Sequence, residues 1–424
     1  MTSLSRLLNL SDSLWYSTKD PCSWKGVRCS SGNSSVTGLS LSAFDLSNSN
    51  FLPVVCKIET LQDLDLSNNS LSSISDEFIN DCGRIDGLKS LNFSKNLLGG
   101  SLPTFNGFAG LKSLDLSFNS LSGNVSLQLD GLHALTSLNL SYNMFTGLIP
   151  VNLRNPFLLE ELQLSMNRFE ANSNGFNGTI PSGITRYLSF LDLSYNSLRG
   201  PMPTDLLSGP NLQLVDLSSN QLEGPIPAKV SNSLVRLRLG SNRLSGPIPP
   251  SFQTLDNLTY LELDNNKLTS EIPPQLSFCR KLALLNLAQN NLTGPVPAPL
   301  GNLSVLQVLK LQLNSLSGDI PSDITRLQSL SILNMSWNSL TGSIPSSISS
   351  LGRLTRLNLQ GNNLRGRIPA TIGSMGLSVR SPTWRKSTKW NYSEYAGELA
   401  DRFESQHQPP SRSYSRNSFP AEGT

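Results

Sequence analysis

Between Leu282 and Pro297 the chain reads LALLNLAQNNLTGPVP, with apolar residues first at alternate positions and then behind an Asn, a Gly and a Pro. Alternation over so few residues predicts a short strand that turns Leu285 and Leu287 inward and Asn286 and Ala288 outward. The same frame returns at Leu261/Leu263/Asn266, Leu309/Leu311/Asn314, Leu333/Met335/Asn338 and Leu357/Leu359/Asn362, and from Asn242 to Asn362 its Asn recurs every 24 residues. One unit cannot bury its leucines alone, so neighbouring units must stack and share a continuous core.

A period in the twenties built on L-x-L-x-x-N is the signature of a leucine-rich-repeat solenoid, an α/β repeat fold with a parallel sheet on its concave face. Asn290 carries donors and acceptors, so aligned Asn residues can form a ladder that satisfies inward-turned backbone groups. Gly294 permits a tight turn and Pro297 fixes φ, which makes these positions scaffold. Earlier framework Asn residues stand at 69, 96, 119, 143 and 167, spaced 27, 23, 24 and 24, and the first repeat, Val36 to Leu46, has Phe44 in that place. The units at Asn69 and Asn119 lack the x-I-P ending of later ones.

The register breaks after Asn167. Asn174-x-Phe176-x-Gly178-x-Ile180-Pro181 fits the frame but follows Asn167 by only seven residues, whereas a full coil needs about 20. An internal deletion joining two partial repeats across residues 167–178 is the favoured expectation, with a functional inserted loop as the rival. The series resumes at Asn196, Asn220 and Asn242. Residues 36–374 therefore read as about fourteen coils, on the order of 65–70 Å along the axis at ~4.8 Å per strand.

Residues 1–35 read as an N-terminal cap, with Leu4, Leu7, Leu8, Leu14 and Trp15 at rough helical spacing and Cys22, Trp24 and Cys29 closing over the first coil. Residues 375–424 form a tail rich in Ser, Arg and Pro that reads as disordered, apart from a short helix over 393–405 placing Tyr395, Leu399 and Phe403 on one face. No Cys pair closes this end, so the last coil is expected to expose leucines.

Composition narrows the function classes. A net charge of +3 spread over both signs gives no basic patch for nucleic acid. There are only two His, His133 and His407, far apart in the chain, which argues against His-based catalysis or a His-rich metal site, and no cofactor or metal is implied. Of five Cys, Cys22 and Cys29 flank SWKGVR and are read as a disulfide; Cys56, Cys82 and Cys279 are read as small buried hydrophobes, with a Cys56–Cys82 bridge as the alternative. Twelve N-x-S/T sequons run from Asn9 to Asn391, and Asn33, Asn68, Asn92, Asn124, Asn139, Asn177, Asn257, Asn291, Asn302 and Asn334 are the candidate glycosylation sites along the cap and coils. Disulfide and sequons together point to an oxidising, extracellular setting. The start of the chain carries no secretory signal pattern and no run of 18 apolar residues occurs, so the expectation is a truncated record.

WYSTKDPCSWKGVRC followed by N-x-L-x-G-x-I-P repeats resembles the extracellular domain of plant leucine-rich-repeat receptor-like kinases over about residues 4–374. The resemblance implies a right-handed superhelix, a glycosylated ectodomain on the outer side of the plasma membrane, a single span and a cytosolic kinase. It also implies a peptide or protein ligand and a shorter leucine-rich-repeat co-receptor kinase as partners. The phosphate loop and the HRD and DFG motifs of a kinase do not occur in these 424 residues, so this chain is not read as an enzyme.

Solvent-facing strand positions form columns from coil to coil. The column between the paired apolar residues reads Asp65, Asn92, Asp115, Asn139, Gln163, Asp192, Asp216, Arg238, Glu262, Asn286, Lys310, Asn334 and Asn358. Glycans on Asn92, Asn139 and Asn334 would block the face near both ends and leave a window from about Gln163 to Lys310 for a ligand. Inside it, Arg236 and Arg238 resemble the Arg-x-Arg element with which some peptide receptors of this family grip a terminal carboxylate. A surface salt ladder of Asp216, Arg238 and Glu262 is the competing explanation. Tyr260 and Asp264 would enlarge the site. A second stripe, Phe118, Tyr142, Met166 and Tyr195, then Leu313 and Trp337, offers a contact surface or packs between coils. The leading function is a ligand-binding receptor ectodomain; the alternatives are a secreted inhibitor of a pathogen enzyme and a truncated product without a ligand.

Overall fold

The computed structural model describes residues 1–8, 15, 20–32, 35–125, 127–154, 158–167 and 175–374, all within one compact unit, Met1–Ser378. Asn9, Leu14, Asn33, Asn174, the tail 375–424 and the expected helix at 393–405 lie outside the described residues.

One sheet runs through the whole array. It begins with β1 (Val27–Cys29), antiparallel to β2 (Val36–Ser40), and every later neighbour is parallel. The first six that follow are β3 (Asp63–Asp65), β4 (Ser90–Asn92), β5 (Ser113–Asp115), β6 (Ser137–Asn139), β7 (Glu161–Gln163) and β8 (Phe190–Asp192). They continue as β9 (Leu214–Asp216), β10 (Arg236–Arg238), β11 (Tyr260–Glu262), β12 (Leu284–Asn286), β13 (Val308–Lys310), β14 (Ile332–Asn334) and β15 (Arg356–Asn358). Each strand is short because its ladder is three residues long and the chain must turn inward at the framework Asn. The paired apolar residues on either side of the outward column sit in the core from β2 to β14, as Leu285 and Leu287 do with Leu292 below them, whereas Leu357 and Leu359 of the last coil are only partly buried.

The Asn ladder replaces the hydrogen bonds that the turning backbone gives up. Asn290 Oδ1 accepts Leu268 N–H at 3.0 Å, while its Nδ2 donates to the carbonyls of Leu263, Leu287 and Ala288 at 3.0, 3.2 and 3.1 Å. Where Phe44 occupies the Asn position, Asn69 Oδ1 alone accepts both Phe44 and Leu46 N–H, at 3.1 and 3.0 Å.

The ladder also runs unbroken through the register break. Asn196 Nδ2 donates to Leu164 O at 2.9 Å, its Oδ1 accepts Phe176 N–H at 3.1 Å, and β7 pairs in register with β8. Both halves of the break thus belong to one coil, in which Phe176 takes the place that Phe145 takes one coil earlier. Gly175 makes the closure possible: a Cβ there would lie 2.8 Å from Asn167 O and 2.9 Å from Asn196 Oδ1.

The convex side changes along the array. Early coils carry helices α2 (Leu52–Val55) and α3 (Asp76–Cys82), which follow the cap helix α1 (Thr2–Leu8). Ser75 caps α3 by accepting Phe78 N–H at 3.2 Å. From coil β10 onward each convex turn is a single 3-10 turn opened by a proline, as at Pro249, Pro273, Pro297, Pro321 and Pro345.

The cysteines require a correction. Cys22–Cys29 forms, but Cys56 and Cys82 are also bonded, with Cα atoms 4.7 Å apart, and are not free hydrophobes. Their separation in sequence hid the fact that α2 and α3 pack side by side on consecutive coils, each ending at its Cys. Cys279 is buried and unbridged, and its thiol is pushed up to about 11 by burial, with a further push from Asp256.

Candidate ligand-binding surface

The outward column does two jobs. At Asp65, Asn92, Asp115, Asn139, Asp192, Asp216, Asn286, Asn334 and Asn358, the side-chain Oδ1 accepts the N–H two residues on, at 2.9–3.3 Å. A short carbonyl or carboxylate at this place closes the strand end, so nine members of the column are occupied by the fold itself. Asn286 and Ala288, expected to face out, are on this side of the sheet but only 8% and 3% exposed.

Gln163, Arg238, Glu262 and Lys310 are the departures, with side chains of a different reach. The last three lie within four consecutive coils. The next outward column shows the same break: Ser67, Ser94, Ser117, Ser141, Ser165, Ser194 and Ser218 give way to Gly240, Asp264, Ala288 and Gln312. The two columns therefore depart together at β10, β11 and β13, while Asn286 on β12 keeps the pattern of the first column and Gln163 and Gln360 depart singly elsewhere.

Strand register brings Asp216, Arg238 and Glu262 side by side on β9, β10 and β11. Arg238 Nε donates to Glu262 Oε1 at 2.7 Å and its Nη1 to Asp216 Oδ2 at 3.2 Å, which raises the guanidinium's proton affinity further. The salt ladder is thus formed, and Arg238 is not an open pair of donors. Arg236 differs: its guanidinium carbon lies 4.7 Å above the centroid of the Tyr260 ring. Such stacking is worth ~0.5–1 kcal/mol at an exposed site and holds the planar group flat.

Asp264 lies just beyond β11, where a Cβ on Gly240 would meet its Oδ1 at 2.8 Å, so the glycine leaves room for the carboxylate to lean across. Burial, then the charge of Glu262, lifts Asp264 to about 6, against the opposing pull of Lys310 and Arg238. Asp192 is also raised, by burial and by Asp216 facing it across the strand pair. The centre of the face holds more carboxylate than the ladder alone suggests.

Tyr195 stands two coils before Arg238 and is 50% exposed. It belongs to a separate feature. The residue before each framework Asn has φ near +55°, as at Phe118, Tyr142, Met166, Tyr195, Leu313 and Trp337. Phe118 and Tyr142 stack at 4.0 Å between centroids, with Lys95 Nζ 5.8 Å from the Phe118 ring. Phe118 and Tyr142 thus pack on each other, while Tyr195 and Trp337 are exposed. Sequence reasoning missed the strand-closing role of the Asp/Asn column. The signal was there, in the preference for two short side chains along it.

Among the described residues no group of three or more His, Cys, Asp or Glu is placed to hold a metal ion, and no helix is long and apolar enough to cross a membrane.

Leucine-rich-repeat models match residues 60–82, 110–132, 134–156, 187–208, 211–232, 232–292, 329–351 and 353–375, and the leucine-rich-repeat N-terminal domain matches residues 5–30. The receptor protein-tyrosine kinase CEPR1 of Arabidopsis thaliana is 37% identical over 112 residues, which is 26% of this chain and 11% of that protein. The chain thus matches about a tenth of the length of this curated relative. In structure, the plant peptide hormone receptor RGFR1 in complex with RGF2 aligns with a TM-score of 0.66 at 32% identity, over 76% of this chain and 55% of that one. The Arabidopsis receptor kinase HAESA, in complex with the peptide hormone IDA and the co-receptor SERK1, aligns with a TM-score of 0.62 at 28% identity, over 89% and 76%.

Proposed function

We infer that this chain, which belongs to the leucine-rich-repeat family, is a ligand-binding ectodomain, or part of one, of a plant receptor kinase. Its ligand is a peptide, and its partner on binding is a shorter leucine-rich-repeat co-receptor. It acts on the outer side of the plasma membrane. The similarity to peptide-hormone receptor ectodomains supports this reading. One observation carries the location: the two outward columns leave their structural pattern together only at β10, β11 and β13. Arg238 and Glu262 are joined in the salt ladder, but the carboxyl of Asp264, raised to about 6 by burial and by Glu262, works against stability, as a side chain kept for a ligand would.

The proposed contacts are Arg236, Arg238, Tyr260, Glu262 and Asp264, with Asp216 and Tyr195 at the border towards the N-terminal coils. Arg236 is the more accessible handle for a ligand carboxylate, because Arg238 must first be drawn from Asp216 and Glu262. Arg238 then acts as the fixed charge at the centre, and Glu262 and Asp264 meet donor groups of the peptide. Glycans on Asn92, Asn139 and Asn334 would flank the window. Attachment at Nδ2 leaves each Oδ1 on its strand-closing N–H.

The test is binding of the peptide that the ectodomain captures from plant extracellular fluid. Arg236→Ala with Arg238→Ala should weaken it at least tenfold, a loss of ~1.4 kcal/mol. Unchanged affinity in the double variant removes these residues from the site.

A further inference from the structure

The same reasoning on the convex side singles out Phe278. The final residues of the successive 3-10 turns are Thr254, Phe278, Asn302, Arg326 and Ser350. Four of the five are polar, as an exposed position requires. Phe278 is the exception, and it is 54% exposed.

Equivalent positions on consecutive coils lie side by side, about 5 Å apart at the strand spacing. The neighbour of Phe278 on the next coil is Asn302, which opens the sequon Asn302-Leu303-Ser304. Phe278, Asn302 and Ser304 line one groove with Pro274, Pro299 and Arg280. Asn302 and Ser304 are both exposed, while Leu303 between them is buried and fixes the pair in place. An aromatic ring beside a polar rim is the chemistry that holds a sugar: the apolar C–H face of a pyranose covers the ring and its hydroxyls meet polar neighbours.

We propose that Asn302 carries an N-linked glycan whose first sugar lies in this groove against the ring of Phe278. The sugar comes from a lipid-linked oligosaccharide diphosphate. The anomeric C1–O bond to the diphosphate breaks, a C1–Nδ2 bond to Asn302 forms, and the amide nitrogen gives up one proton. The glycan then removes apolar ring surface from water and ties two consecutive coils together. The contact lies on the convex side and is independent of ligand binding, but it rests on the extracellular reading above.

The experiment purifies the full chain from plant cells and maps intact glycopeptides by mass spectrometry. Melting temperatures then follow for the wild type, Asn302→Gln, Phe278→Ser and the double variant. The expected results are an occupied Asn302 and a fall of about 1–3 °C for Asn302→Gln, a shift that disappears in the Phe278→Ser background. Occupied sequons elsewhere with a bare Asn302 overturn this proposal alone. An occupied Asn302 whose removal shifts both backgrounds equally overturns the contact with Phe278. If no sequon is occupied, the extracellular reading falls and takes this proposal with it.

Discussion

Coils β3 to β9 and coils β10 to β13 share one framework and use its surface differently. In the first group Asp and Asn fill the first outward column except at Gln163 and Ser fills the second, and the Asp and Asn side chains close strand ends. In the second, Arg238, Glu262, Lys310, Gly240, Asp264 and Gln312 stand in the same columns. The core leucines and the Asn ladder do not change between them. In a stacked repeat, then, the interior states the fold and gives no location for function. Function has to be read from where the exterior stops serving the fold. Bulky residues before the framework Asn occur in both groups, at Phe118, Tyr142, Met166 and Tyr195 (φ 52–55°) in the first and at Leu313 (φ 57°) in the second. A bulky residue in the left-handed region costs roughly 1–2 kcal/mol against a regular conformation.

The largest expected effect should ignore the difference between the regions. Asn143→Ala in the first group and Asn266→Ala in the second each strip a side chain that accepts one backbone N–H and donates to three carbonyls. Both should lose about 3 kcal/mol in urea denaturation, because buried backbone groups are left without partners. A much smaller loss in one region would mean that its ladder is dispensable, and the shared framework would fail.

The next effect belongs to the second region alone. The carboxyl of Asp264 is raised from 3.8 to about 6 in the folded chain. Between those values the folded state holds a proton that the unfolded state has lost, so stability falls as pH rises from about 4 to 6 and the cost is complete above that. Asp264→Asn should therefore stabilise the protein by about 2 kcal/mol at pH 7 and have no effect at pH 3. Thermal melts across that range decide it; a gain independent of pH would point to packing instead.

Smaller effects sharpen the comparison within the column. Asp115→Ala removes a strand-closing acceptor and should cost ~1 kcal/mol, whereas Gln163→Ala and Lys310→Ala should stay within ~0.5 kcal/mol. Equal losses at all three positions in denaturation would show that the departures are structural after all. Lys310→Ala should nevertheless lower peptide affinity severalfold by titration calorimetry.

Much of the fold could be read from the chain because its cause is local and repeated. Leu285, Leu287 and Asn290 each answer to neighbours 24 residues away that carry the same chemistry. Where the cause is not repeated, legibility fell. Cys56 and Cys82 differ in sequence context, and only the packing of α2 against α3 makes them partners. The closure around Gly175 depends on two Asn residues far apart in the chain. At the candidate site, the sequence showed that Asp216, Arg238 and Glu262 share a column, but not that Arg238 bonds both neighbours and Arg236 neither. Which of two adjacent arginines turns to a carboxylate or to a ring depends on side-chain reach across strands. Periodicity carries no such information.

Covalent footprinting tests the central claim most directly, comparing the ectodomain free and saturated with the peptide it captures. Carbodiimide labelling of Glu262 and Asp264 and dicarbonyl labelling of Arg236 should slow on binding, while Asp63, Asp65 and Asp115 label at unchanged rates. Protection of the three early aspartates, with Arg236, Glu262 and Asp264 labelled as in the free protein, would contradict the account.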